Sequence, residues 1–190
     1  MRFYTFLFFT LMSVVCFSQV VAEGDAVLCE GEEGVPMTLT ATSFAVDLTD
    51  ANIYVDDTFG GVIDLNFDFN FYGNTYNQVV LSSNNYLSFN TANAGGYSGW
   101  NIGAPIPNNF EAPMNAILCP WQDIYPGSNG NGTIQYATIG EAPNRVFIAS
   151  FCGIPMFSCT DICYSSQIKL FETTNIIETH IAQKVLCSTW

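Results

Sequence analysis

Basic side chains are scarce in this chain: four Lys and Arg stand against 17 Asp and Glu, with one His. Arg145, Lys169 and Lys184 lie in distant segments, and the fourth cation, Arg2, precedes an apolar run. A phosphate backbone is gripped by clustered Lys and Arg that release counterions, so this distribution argues against nucleic acid as a partner. The same negative balance would be repelled by an anionic membrane. The single histidine restricts any Ser-His-Asp or Cys-His arrangement to His180, which falls in the strand-like segment NIIETHIA and is expected to face solvent. GxSxG, HExxH and P-loop spacings are also missing. Nothing selects a pair of carboxylates for glycoside hydrolysis, and Glu172 and Glu178, on either side of a predicted turn, are expected as solvated rim charges. These absences point to a protein that is not an enzyme.

Long apolar runs are confined to the start. FYTFLFFTLMSVVCF follows Met1 and Arg2 without a charge and is shorter than the roughly 20 residues that span a bilayer. Small residues follow it, as in a secretory signal peptide. Cleavage after Ser18 is the first expectation and cleavage after Ala22 the alternative. A lipoprotein reading of Cys16 is disfavoured because Val15 is not small. Removal of residues 1–18 leaves three cations and 17 anions, 3 − 17 = −14, with no integral membrane span expected afterwards. Secretion, with cell-surface association, is the expected location.

Six cysteines remain: Cys29, Cys119, Cys152, Cys159, Cys163 and Cys187. An even number in an oxidising compartment favours disulfides. Zinc on Cys159, Cys163 and Cys187 is a poor match to ligand spacings that include nearby histidine. Fifteen pairings are possible; the expected set is Cys119 with Cys152, Cys159 with Cys163, and Cys29 with Cys187.

What is present is strand periodicity. In VIDLNFDFNF, Ile63, Leu65, Phe67, Phe69 and Phe71 share one face, and Asp64, Asn66, Asp68 and Asn70 the other. A helix would scatter those five apolar groups. Short β-branched runs follow between Gly, Asn and Pro, with hairpin signals at Tyr72-Gly73-Asn74-Thr75, at Gly140–Asn144, and at Thr174-Asn175. The pattern predicts an all-β, antiparallel β-sandwich with long surface loops, at residues 90–114 and 125–133, stabilised by disulfides.

Two groups of candidate site residues emerge. Asp56, with neighbouring Asp57, and Asp123 in PWQDI are candidate calcium ligands, helped by carbonyls of the 125–133 loop. No other cofactor is expected. Tyr97, Trp100 and Tyr125, with Trp121, lie in or beside the long loops, where aromatics next to asparagine either cap a core or stack on sugars. Trp121 has the strongest core expectation.

Three stretches, VIDLNFDFNFYGNTYNQVVLSSNNYLSFN, NAILCPWQDIYPGSNGNGTIQY and SSQIKLFETTNIIE, together resemble the nidogen-type extracellular domain over roughly residues 60–190. The likeness is greatest to versions in large surface proteins of gliding bacteria, through APNRVFIASF, PMFSCTDICYSSQIKLFETTNIIE and the Cys-x-x-Trp ending at Trp190. Asn85 stands where that family usually has glycine, tolerable because Asn also visits left-handed backbone. The resemblance implies a further strand beyond Trp190 and, in long relatives, more repeats and a sorting domain. Residues 59–190 are thus expected as a nidogen-like domain truncated at its C-terminus. Residues 19–58 form an N-terminal extension whose LCEGEEGVPMTLTAT resembles the opening strand of an immunoglobulin-like or PKD-like module; it is too short for an independent sandwich. Adhesion or matrix interaction with an extracellular protein or glycan surface is the implied role. A lectin-like carbohydrate-binding module is the alternative, and a fragment of a secreted hydrolase a more distant one.

Overall fold

The computed structural model describes residues 46–101, 103, 105, 106, 113–128 and 132–188. The predicted leader, Cys29 and most of the extension lie outside that set. Nine strands are described: β1 (Thr49–Asp50), β2 (Phe59–Phe71), β3 (Asn74–Ser82), β4 (Tyr86–Ser88), β5 (Ala116–Leu118), β6 (Thr133–Ile139), β7 (Val146–Pro155), β8 (Cys163–Phe171) and β9 (Ile177–Gln183). They form two antiparallel sheets, one ordered β1-β6-β7-β8-β9 and the other β2-β3-β4-β5.

The core lies between the sheets because the sequence alternates as the pleat requires. Ile63, Leu65, Phe67 and Phe69 of β2 are buried, while Asp64, Asn66, Asp68 and Asn70 are exposed. Phe71 is half-buried and packs against the same cluster. Phe147, Ala149 and Phe151 of β7 join them from the other sheet, together with Tyr164, Ile168 and Leu170 of β8. Burying one such large side chain contributes about 1.5–3 kcal/mol relative to leaving it in water.

The turns follow their residues. Tyr72 and Gly73 join β2 to β3 with both φ positive, at 46° and 80°, and Phe71 pairs with Asn74. That is the primed two-residue hairpin, whose twist suits the flanking strands. Asn85, between β3 and β4, has φ 64°, the left-handed backbone that its glycine-like position demands. The segment SSQIKLFETTNIIETHIAQ is the β8–β9 hairpin, turning through Thr173 and Asn175 at φ 66° and 54°.

Strand β2 is an edge, and its outer backbone groups are covered by side chains from the opposite sheet. Thr138 Oγ1 donates to the Leu65 carbonyl at 2.9 Å, Arg145 Nη1 donates to the Asn66 carbonyl, and the Asn70 N–H donates to Asn175 Oδ1 at 2.7 Å. A bare edge of 13 residues would otherwise invite pairing with another chain.

The cysteine pairing differs from expectation. Cys159 is bonded to Cys187, with Cα atoms 6.0 Å apart, whereas Cys119 and Cys163 are free thiols. Cys152 is disulfide-bonded as well, but not to Cys119. Strand alternation explains each correction. Phe151 faces the core, so Cys152 faces outward, while Cys119 is inside with its Sγ 3.6 Å from the Gln167 carbonyl. Likewise Tyr164 points inward, which turns Cys163 away from Cys159, a residue packed on the core. The segment after β9 returns alongside β8, where Tyr164 OH donates to the Val185 carbonyl at 2.9 Å, and this carries Cys187 to Cys159 and away from any pairing with Cys29.

Candidate functional site

Four segments meet at one end of the sandwich: residues 54–58 before β2, the 83–85 turn, residues 97–100, and residues 121–128. Their backbones are tied directly. The Ser83 N–H donates to the Thr58 carbonyl at 2.8 Å, the Ser98 N–H to the Asp57 carbonyl at 2.9 Å, and Thr58 bridges to Tyr97. Residues 121–128 join through β7: Ile124 bridges to Met156, and the Tyr125 N–H donates to the Pro155 carbonyl at 2.8 Å.

Asn84 is the link among them. It is fully buried; its Nδ2 donates to Asp57 Oδ1 at 2.8 Å and to the Ser98 carbonyl at 3.1 Å, and its Oδ1 accepts from the Ile124 N–H at 3.3 Å. Both ends of one amide are therefore used, as burial requires. Asn85 beside it reaches Pro120 through Nδ2 and accepts from Ser166 Oγ at 2.6 Å, crossing to the other sheet.

This framework gathers carboxylates distant in sequence. Asp56, Asp57 and Asp123 each place an oxygen within 4.8 Å of the others. Asp123 is 2 % exposed and the other two are half-buried. Burial pushes the Asp56 carboxyl above its usual range, and the neighbouring Asp57 charge adds to the effect. Tyr97 stands beside them, 72 % exposed; its phenol is raised first by partial burial and then by Asp57, Asp123 and Asp56. Hard oxygens converging from separate loops are the donor set that suits a divalent cation such as calcium.

Of the other aromatics, Trp100 and Tyr125 are half-buried. Tyr125 is wedged against residue 127, where a Cβ would lie 2.9 Å from its ring and 2.0 Å from the Tyr54 carbonyl, so only glycine fits. Trp121 packs edge-on against Tyr86 with centroids 6.4 Å apart and donates from Nε1 to the Gly99 carbonyl at 2.9 Å. It belongs to a small cluster with Phe59, Val80 and Tyr86, separate from the main core. Asn84 and Ser98 carry no chemistry that singles them out in a sequence. Asn85, at its glycine-like position, was the one visible signal beside Asn84, and nothing marked Ser98.

Two other candidates have plain surroundings. His180 is exposed on β9, with Nε2 3.0 Å from Glu178 Oε2. Glu172, expected as a solvated rim charge, is instead 13 % exposed in a two-point ion pair: Oε2 accepts from Arg145 Nε at 2.8 Å and from its N–H at 2.9 Å, and Oε1 accepts from Nη2. The guanidinium holds the Glu172 carboxyl down to about 2.

No curated protein and no solved structure matches this chain. The family described as NIDO related matches residues 36–187. Its span runs from before β1 to Cys187, taking in both sheets, the acidic loop end and the Cys159–Cys187 bond. The chain belongs to the NIDO-related family.

Proposed function

We propose that this chain is a non-catalytic adhesion or matrix-interaction domain of a secreted, cell-surface protein, and that its binding face is the loop end carrying Tyr97, Trp100, Tyr125 and the three aspartates. The observation that carries this reading is the convergence of four loops on an exposed aromatic and a carboxylate cluster, above a rigid sandwich of a nidogen-related family. Loops held by such a scaffold are the usual carriers of recognition. The disulfide fits an oxidising, extracellular setting, and the surface proteins of gliding bacteria are the context that the sequence resemblance favours. The partner is an extracellular protein or glycan surface.

Binding of the full chain to immobilised matrix proteins and to a glycan array, compared with Tyr97→Ala and Trp100→Ala, tests the assignment. Attachment to protein ligands that both substitutions weaken supports it. A glycan-only response that both substitutions weaken would favour the lectin-like alternative. Turnover of labelled polysaccharide would instead revive the hydrolase reading.

A second reading concerns the same end. The spacing of Asp56, Asp57 and Asp123 favours a calcium ion that would neutralise the cluster and fix the loops around it.

A further inference from the structure

At the opposite end, β2 departs from its partner. Asp64 lies opposite Gln78 and Phe69 opposite Tyr76, so four residues of β2, 65–68, stand against Asn77 alone. Asn66 takes a φ of 65° within that arch. Bulges of this kind bend a strand and re-aim its side chains. Here the arch walls a groove of about 570 Å³, bounded by Asp64, Asn66, Asp68 and Asn77 on one side and by Arg145 and Glu172 on the other. Ligand sites commonly occupy roughly 300–1,000 Å³.

The chemistry of the walls narrows the ligand by elimination. The one ring that lines the groove, Phe67, is buried beneath the Arg145 guanidinium, 5.8 Å from its centroid, so there is little apolar surface for a lipid or an apolar peptide. Three carboxylates, of Asp64, Asp68 and Glu172, face a single cation that Glu172 already engages, which repels anionic ligands. A Lys or Arg side chain would suit the acids and the amide oxygens, but it offers no acceptor for the four N–H donors of Asn66 and Asn77. A hydroxyl both donates and accepts. Planar carboxylates and amides interspersed along one wall therefore match neighbouring hydroxyl groups. Among the described residues, no hydrogen bond engages the side chains of Asp68 or Asn77, which are exposed.

We propose that this groove binds a neutral, hydroxyl-rich glycan, with Asp68 and Asn77 as its principal contacts and the Arg145–Glu172 pair as a fixed, charge-balanced wall. This site is separate from the loop end, and neither assignment depends on the other.

The test is calorimetric titration of the full chain with neutral hexasaccharides of glucose, mannose, galactose and N-acetylglucosamine, alongside a sulfated hexasaccharide and hexalysine. At least one neutral sugar is expected to bind. Asp68→Ala combined with Asn77→Ala should weaken it by about tenfold or more with no change in melting temperature, while Tyr97→Ala leaves it unchanged. Asn77→Asp, which keeps the size but removes the amide donors, should weaken the sugar too. Three results would overturn the proposal: no binding of any neutral sugar at millimolar concentration, binding that both groove variants leave intact, or hexalysine binding that Asn77→Asp strengthens. The last would reassign the groove to a basic protein segment.

Discussion

The two ends of the sandwich handle negative charge in opposite ways. At the loop end, Asp56, Asp57 and Asp123 face one another, with Asn84 holding Asp57 through a neutral amide. At the hairpin end, Glu172 is gripped by Arg145. The result is a carboxyl raised by burial and like charge at one end and one lowered to about 2 at the other. The fastening differs as well. The Cys159–Cys187 bond and buried Asn84 secure the loop end, whereas an ion pair and left-handed turn residues secure the hairpins. Among the described residues one strong ion pair is placed, and it stands where the start of β7 and the end of β8 meet the β2 edge. The end without it is left with charge for something else to neutralise.

The largest effect should come from opening the covalent fastening. Replacing Cys159 and Cys187 with Ala removes a crosslink spanning 28 residues and is expected to cost about 3–4 kcal/mol by loop entropy, measured by urea denaturation; a loss below half of that would mean that β8 and its return segment hold the end unaided. Next comes Asn84→Ala, which strips partners from Asp57, Ser98 and Ile124. A loss of about 2–3 kcal/mol is expected for an amide serving several buried groups, and a near-neutral result would dissolve the idea of Asn84 as the link.

Calcium sharpens the contrast. An ion bound with excess ligand about a hundredfold above its Kd stabilises by about 2.7 kcal/mol, and a melt should therefore rise by at least about 5 °C for a chain of this size. Asp123→Asn should abolish the rise. A flat melt in the unsubstituted chain would remove the cation reading and leave the acids as a ligand face.

The smallest effect belongs to the hairpin end and is read as a slope. Glu172 has a folded value below its unfolded one, so its contribution is complete above the unfolded carboxylate value and is lost as pH falls from roughly 4.3 towards the folded value of about 2. Glu172→Gln should flatten stability across that acid window and leave its neutral-pH dependence unchanged. An identical acid limb in the variant would show that other carboxylates set it.

Much of the scaffold was legible along the chain. The alternation from Ile63 to Phe71 specified a strand, its core face and its wet face, since side-chain direction along a strand is a local property. Gly73 and Asn175 announced their turns as residues that accept positive φ, whereas the positive φ of Tyr72 and Thr173 had no such signal. Asp56, Asp123 and Tyr97 stood out as types able to bind, but 67 positions separate Asp56 from Asp123, and spacing says nothing about whether such residues meet.

By itself, then, the sequence determined what depends on neighbours in the chain: the β class, the buried stripe, the hairpins and the excess of acid. Tertiary structure alone decided the rest. It paired Cys159 with Cys187 because the segment after β9 returns alongside β8, and it recruited Glu172 to Arg145 because β7 begins beside the end of β8. It also brought Asp56, Asp57 and Asp123 together around a buried amide whose importance is invisible until the four segments meet. Periodicity is encoded every two residues, whereas a site is encoded by which strand ends become neighbours, and that is fixed only when the two sheets close on a common core.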